Sequence, residues 1–224
     1  PEERKRKWEH FFYEVRQPDW WHGDALPHPP PPHEPVSRLE RVLSEGKFAI
    51  TAEISPPITA NPEEAVKKIL MLKEYVDAVN FTDSPSATPR MSSLACGLIA
   101  LQNGVEPVLQ IAARDRTRMG LQGEVLGATA LGTRNILCLT GDHPRTGPPP
   151  HGRKDIWDLD AIQMLWIIRQ MRDEGHFLDC REIKCVPQVF LGAAGSPNSS
   201  TPLIQAMREE KKVNAGAQFL QTNL

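Results

Sequence analysis

The chain has 224 residues, 40% hydrophobic and 24% charged, with a formal net charge of −2. That balance describes a globular protein long enough for one large core or two small ones. It gives no electrostatic reason to expect nucleic acid or an anionic membrane as partner. The longest apolar runs are too short to span a bilayer. Four scattered cysteines, Cys96, Cys138, Cys180 and Cys185, do not make a disulfide framework, so a cytoplasmic protein is expected. The first residue is proline and not methionine, so an upstream part of the natural chain is expected, and no targeting segment is visible.

Residues 1–36 differ in character from the rest. Trp8, Phe11, Phe12 and Val15 would share one face of a short helix over Glu2–Arg16. The proline run Pro29–Pro32 forces extended structure and reads as a linker or a strap over the next domain. His22, His28 and His33 lack a second ligand type at useful spacing, so no metal is expected.

From Pro35 the pattern becomes regular. Val36–Ser44 reads as a short helix leading into a strand at Phe48–Ile54. Asn61-Pro62-Glu63-Glu64 is a helix start, with a cap, a proline at the first helical position and a glutamate placed for a capping box. Val66, Ile69 and Leu70 supply that helix's buried face. Ala78–Thr82 is the second strand, Met91–Gln102 the second helix and Pro107–Ala112 the third strand, followed by a helix from Gly120 to Leu131.

Asn135–Pro144, NILCLTGDHP, opens with the look of a strand buried on both faces. It breaks at Thr140-Gly141-Asp142, where a glycine frees the backbone and a carboxylate stands at the strand's C-terminal end. A loop over Pro144–Gly152 leads to a helix at Asp158–Glu174, in which Met164, Trp166, Ile167 and Met171 pack on the sheet. Cys180 and Cys185 lie in a polar insertion as two free thiols. The fifth strand is Gln188–Gly192, the next helix starts at Thr201-Pro202, and Gln218–Thr222 is the sixth strand.

Strand and helix thus alternate over roughly 180 residues at the intervals of successive βαβ units. An eight-fold barrel and an open doubly wound sheet both fit. No G-x-G-x-x-G follows the first strand, which weakens the dinucleotide-binding open sheet. The expectation is therefore an α/β chain forming a (β/α)8 TIM barrel, truncated after the sixth strand. Residues 37–224 make up the incomplete barrel, and 1–36 an irregular N-terminal extension.

The C-terminal ends of parallel strands are where such folds bind ligands. The polar residues there are Glu53, Thr82, Gln110, Asp142 and Asn223. Together they predict a polar mouth with two carboxylates, suited to proton transfer beside a bound cofactor. Glu53 ends an apolar strand just before Ser55-Pro56-Pro57, so its carboxyl is expected to be partly desolvated and stiffly held, the setting of a general acid.

Three motifs, Ala52-Glu53-Ile54-Ser55-Pro56-Pro57, Leu139-Thr140-Gly141-Asp142-His143-Pro144 and Lys212-Val213-Asn214-Ala215-Gly216-Ala217, resemble in order and spacing the methylenetetrahydrofolate reductase family. Ala113-Arg114-Asp115-Arg116-Thr117-Arg118 and Ala128–Leu139 are similar to the branch with an R-D-R segment after strand three. The match runs from about Gly46 to Leu224.

The resemblance implies a barrel holding FAD at its C-terminal mouth and reducing 5,10-methylenetetrahydrofolate to 5-methyltetrahydrofolate. By that resemblance Glu53 protonates the folate nitrogen as the five-membered ring opens to an iminium, and hydride passes from flavin N5 to the carbon. Asp142 is implied as the carboxylate that stabilises the cation and tunes the flavin. Thr82 is implied as a flavin contact and Lys212 as a residue near the flavin's phosphate or ribityl chain.

This sequence departs from the family pattern at several of these positions. Gln110 stands where a flavin-contacting histidine is usual, Thr140 where an arginine precedes Gly-Asp, and Asn223 where a glutamine binds substrate. Gly192 falls at a position often held by a tyrosine or another large residue, and Ser196 at a second histidine. The electron donor is left as NAD(P)H or a redox partner protein, and an oligomer is expected. Two other readings stay open: a flavin-free scaffold or partner subunit, and a folate- or corrinoid-linked methyltransferase on the same barrel.

Overall fold

A computed structural model describes residues 20–21, 23–149, 158–198 and 200–222. The expected helix over Glu2–Arg16 and two of the candidate positions, His22 and Asn223, lie outside them.

Six parallel strands pair in chain order: β1 (Thr51–Ile54), β2 (Ala78–Phe81), β3 (Pro107–Ala112), β4 (Asn135–Leu139), β5 (Phe190–Gly195) and β6 (Phe219–Thr222). Between them run α2 (Glu63–Leu72), α3 (Ser93–Gln102), α4 (Arg118–Ala130), α5 (Ala161–Arg169) and α6 (Pro202–Asn214), with α1 (Arg38–Ser44) ahead of β1. This is the curled, open six-stranded part of a (β/α)8 barrel. Every residue of β2 and β3 is buried, because both faces of a parallel sheet are covered.

Alternation along each strand divides the core into two layers. Leu109, Ile111, Ile136, Cys138 and Leu191 face outward onto α4 and α5, where Leu121, Val125, Met164, Ile167 and Ile168 meet them. Val79 and Phe81 likewise face Ala65, Ile69 and Cys96 of α2 and α3. The inward layer is Ala78, Val108, Leu137 and Phe190, with Leu39 of α1 packed against it.

Helix α1 closes the barrel floor at the N-terminal ends of the strands. The Glu106 carboxylate accepts from the N–H groups of Arg38 (2.7 Å) and Leu39 (2.9 Å) and from Asn135 Nδ2 (2.9 Å). Negative charge at a helix N-terminus offsets the unpaired donors there. Residues ahead of α1 run along the outer helices. Asp24 pairs with the buried Arg169 at 2.9 Å, Asn214 Nδ2 donates to the Ala25 carbonyl at 3.3 Å, and the Arg118 guanidinium lies 5.1 Å from the Trp20 ring centre.

Several expected boundaries moved, each for a physical reason. The first strand starts at Thr51 and not at Phe48, because its partner begins only at Ala78; Phe48 is left 90% exposed. The fifth strand runs three residues past Gly192, since pairing with β6 through Gly195↔Thr222 overrides the low strand propensity of Ala and Gly. In α2 the buried positions are Ala65 and Ile69, while Leu70 is 49% exposed. The capping box expected at Asn61 is not closed: its side chain accepts from Glu63 N–H (3.0 Å), but its own N–H goes to Thr59 Oγ1. A closed box stands at Asp160 and Gln163, so α5 begins at Ala161 and gives way to a π turn at Gln170–Glu174. Met164, Ile167 and Met171 are fully buried, as their spacing predicts.

Gly192 faces inward, and the place a side chain would take there is filled from the next strand. The Phe219 ring lies over Gly192 and stacks on Phe190, with centroids 4.8 Å apart. A Cβ on Gly192 would overlap that ring. Gly192→Ala should therefore lower stability by about 1–3 kcal/mol in urea unfolding, and adding Phe219→Leu should recover part of the loss. An additive penalty would show that the ring is not what requires glycine.

No helix among the described residues is long and apolar enough to cross a membrane.

Candidate functional site

Thr51 and Glu53 share the inward face of β1, since Ala52 and Ile54 pack outward. The same alternation sends Asn80 and Gln110 inward beside Ala78 and Val108. Glu53 and Gln110 meet: Gln110 Nε2 donates to Glu53 Oε2 at 2.9 Å, across the intervening strand β2. The expected desolvation of Glu53 is not found. The residue is exposed, because the inward face at β1 opens to solvent.

Thr82 is buried just past β2, with its N–H to the Ile54 carbonyl (3.3 Å) and its hydroxyl to Ser55 Oγ (3.4 Å). Thr140 is exposed and its carbonyl accepts from Arg114 N–H at 3.1 Å. Asp142 is exposed, and its Oδ2 accepts from Ser86 N–H at 2.7 Å. Lys212 stands apart, donating from Nζ to the Ala194 carbonyl of β5 at 2.5 Å, and burial lowers its pKa. Ser196 N–H donates to Glu209 Oε1 of α6 at 3.0 Å.

Two arginines organise this mouth. Arg114, with 3% of its side chain exposed, forks onto Asp115 Oδ2 and also donates to the carbonyls of Ser84 (3.2 Å) and Asp142 (3.1 Å). One guanidinium thus ties the loops after β2, β3 and β4 together, which suits its fixed fork of donors. The tied β2 loop is strained: Ser84, Ser86 and Ala87 have φ of 47°, 55° and 53°, each a costly left-handed conformation for a residue with a Cβ. That turn is what aims the Ser86 N–H at Asp142.

Arg116 bridges two carboxylates, Asp83 Oδ2 at 2.5 Å and Glu124 through two bonds of 2.9 Å. Asp83 also accepts from Ala112 N–H at 3.0 Å. Burial pushes the Asp83 carboxyl above its ordinary value, against the pull of Arg116 and the Ala112 N–H. Burial alone would lower Arg116, but Glu124 and Asp83 together hold it charged.

The R-D-R segment by itself assigns no roles to Arg114 and Arg116, and Asp83, Ser86 and Asn80 are not among the candidates that the sequence singles out. The available signal was Asn80-Phe81-Thr82-Asp83, three polar residues around a phenylalanine at the end of an apolar strand. Burial raises the Cys96 thiol to about 11 and pushes Cys138 up as well, so neither serves as a nucleophile at neutral pH. Among the described residues no group of three or more His, Cys, Asp and Glu side chains is placed to hold a metal ion.

Comparison with known proteins adds three findings. A family model described as methylenetetrahydrofolate reductase matches residues 38–224. No curated protein matches the sequence. Among solved structures, an uncharacterized protein from Clostridium thermocellum that binds two copies of 5-methyl-5,6,7,8-tetrahydrofolic acid has the same fold, with a TM-score of 0.57 at 15% identity. The match covers 83% of this chain and 58% of that one, so the chain spans less than two thirds of that neighbour's length.

Proposed function

Since the chain belongs to the methylenetetrahydrofolate reductase family, we propose that it reduces 5,10-methylenetetrahydrofolate to 5-methyltetrahydrofolate with FAD as cofactor and Glu53 as general acid. The observation that carries the reading is the Glu53–Gln110 hydrogen bond on the open inward face. In the free protein it holds a carboxyl group in place beside an amide, at the end of the barrel where parallel folds bind ligands. That the Clostridium thermocellum protein binds a methylated tetrahydrofolate on this fold supports the folate as ligand.

The donor set at the mouth fits a flavin. The Gln110 amide and the hydroxyls of Thr82 and Thr140 are the kinds of group that pair with the polar edge of an isoalloxazine. Lys212 would serve the phosphate or ribityl chain only after giving up the Ala194 carbonyl. Bound FAD would supply the hydride.

Glu53 gives its proton to the folate nitrogen as the C–N bond of the five-membered ring breaks, which leaves the one-carbon unit as a cationic iminium. The one-carbon unit would become a methyl group on taking up the hydride, and Glu53 ends as a carboxylate that regains its proton from solvent. Asp142 keeps a negative charge at the mouth, where it stabilises the cation. Its Oδ2 is fixed by Ser86 N–H and its backbone by Arg114, so the charge is held in place before the substrate arrives. Asn223 is proposed as a substrate contact. An NAD(P)H or protein electron donor, an oligomeric assembly and a cytoplasmic location complete the proposal.

The test is a visible absorption spectrum of the purified protein, reconstituted with FAD, before and after anaerobic addition of 5-methyltetrahydrofolate. Flavin bands that bleach on addition are the expected result, since the reverse half-reaction returns hydride to the oxidised cofactor. Absence of flavin bands after reconstitution would overturn the flavoenzyme reading and favour a flavin-free partner subunit.

A further inference from the structure

The inward face holds a buried polar group, next to Glu53, that the proposed reaction does not use. Asn80 is 1% exposed and sits in β2 between the two residues that bond across it. Its register partners are Glu53 on one side and Val108 on the other, so it lies one inward position below Gln110. Asn80 Oδ1 is buried without a hydrogen-bond partner among the described residues. Leaving a buried carbonyl unpaired costs about 1–3 kcal/mol.

The Gln110 amide donates to Glu53 across β2, and Gln110 stands one inward position above the residue that carries this orphan acceptor. A ligand that engages the Glu53 carboxyl competes with Gln110 for it. If Gln110 had nowhere else to donate, ligand binding would leave its buried amide unpaired, at a cost of the same order.

We propose that Asn80 is a second acceptor for Gln110, so that the amide moves from Glu53 to Asn80 when ligand takes the carboxyl group. The count of hydrogen bonds made by Gln110 is then the same in both states. The orphan in the free protein becomes the partner in the liganded one, and releasing Glu53 costs no net hydrogen bond. Asn80 is in this sense a positioning residue that acts through Gln110. The identity of the ligand rests on the function proposed above, but the exchange of acceptors does not.

A stability cycle without ligand tests the exchange. Glu53→Ala removes the first acceptor, Asn80→Leu the second, and the double variant removes both. Glu53→Ala should lower Tm less with Asn80 present than with leucine there, by about 2–4 °C, because Gln110 falls back on Asn80. Equal shifts in the two backgrounds would overturn the proposal. Should Asn80→Leu fail to fold, the side-chain amide of Gln110 in Glu53→Ala is followed by hydrogen exchange. Protection retained is the expected result, and free exchange overturns it.

Titration with 5-methyltetrahydrofolate then adds the functional readout. Asn80→Leu should weaken binding by roughly tenfold, and unchanged affinity would count against the exchange. Failure of the unsubstituted protein to bind the folate would sink the folate reading, while the stability cycle still decides the role of Asn80.

Discussion

Glu53→Gln is expected to slow reduction of 5,10-methylenetetrahydrofolate by about 10²–10⁴-fold, the usual worth of a positioned general acid, while folate affinity and flavin content stay within a few-fold. Glutamine has the same shape and keeps an oxygen that can accept from Gln110 Nε2, so the hydrogen bond across β2 survives. What it lacks is a proton to give to a leaving nitrogen. The exposure of Glu53 adds to the contrast: no buried ion pair is broken by the change, and the variant should unfold at the same urea concentration as the parent. Stopped-flow reoxidation of the reduced protein by substrate separates the chemical step from binding. A variant that turns over at the parental rate would remove Glu53 from the mechanism, whatever its effect on affinity.

The largest effect on stability is expected at Arg116. Arg116→Met leaves the Asp83 carboxylate, with only 5% of its side chain exposed, facing Ala112 N–H alone. Removing one member of such a buried pair costs about 3–5 kcal/mol. The cost should depend on pH in a definite direction. Burial already holds Asp83 above its unfolded value, so the native state grips that proton more tightly than the unfolded chain. Such a group contributes stability below its unfolded pKa and loses it as pH rises through the folded one. Without the guanidinium the folded value moves higher still. Arg116→Met should therefore be mildest at about pH 4 and most destabilising at about pH 8, measured by urea unfolding at both. Adding Asp83→Asn should recover most of the loss at the higher pH, because a neutral amide no longer needs the cation. A penalty independent of pH would place the cost in packing, or in Glu124, which loses its two bonds to Arg116.

The two variants probe different parts of one mouth. Glu53 lies on the inward face, where a bound heterocycle would meet it. Arg116 and Asp83 lie behind that face and join the ends of β2 and β3 to Glu124 in the middle of α4. Arg114 does the same for the loops that hold Asp142. A strained turn at Ser84–Ala87 persists because both Arg114 and Asp142 bind its backbone.

The sequence by itself determined the alternation of strand and helix, the parallel class and the end of the sheet at which polar residues gather. Those follow from local terms: apolar runs of strand length, capping residues, and the turn chemistry of Thr140-Gly141-Asp142. It also singled out Glu53 and Asp142, because a carboxylate after an apolar strand is visible in one dimension. What only the tertiary structure decided depends on residues far apart in the chain. Glu53 meets Gln110 57 positions away, Asp142 meets Ser86 56 positions away, and Phe219 fills the place of a side chain at Gly192. Strand ends answered to their partners and not to propensity, which is why Phe48 lies outside β1 and Gly195 inside β5. The solvent exposure of Glu53 and the burial of Asn80 were likewise set by which strand lies beside which. For polar residues such as these, burial is a property of the assembled sheet, and the local pattern at Glu53 and Asn80 does not carry it.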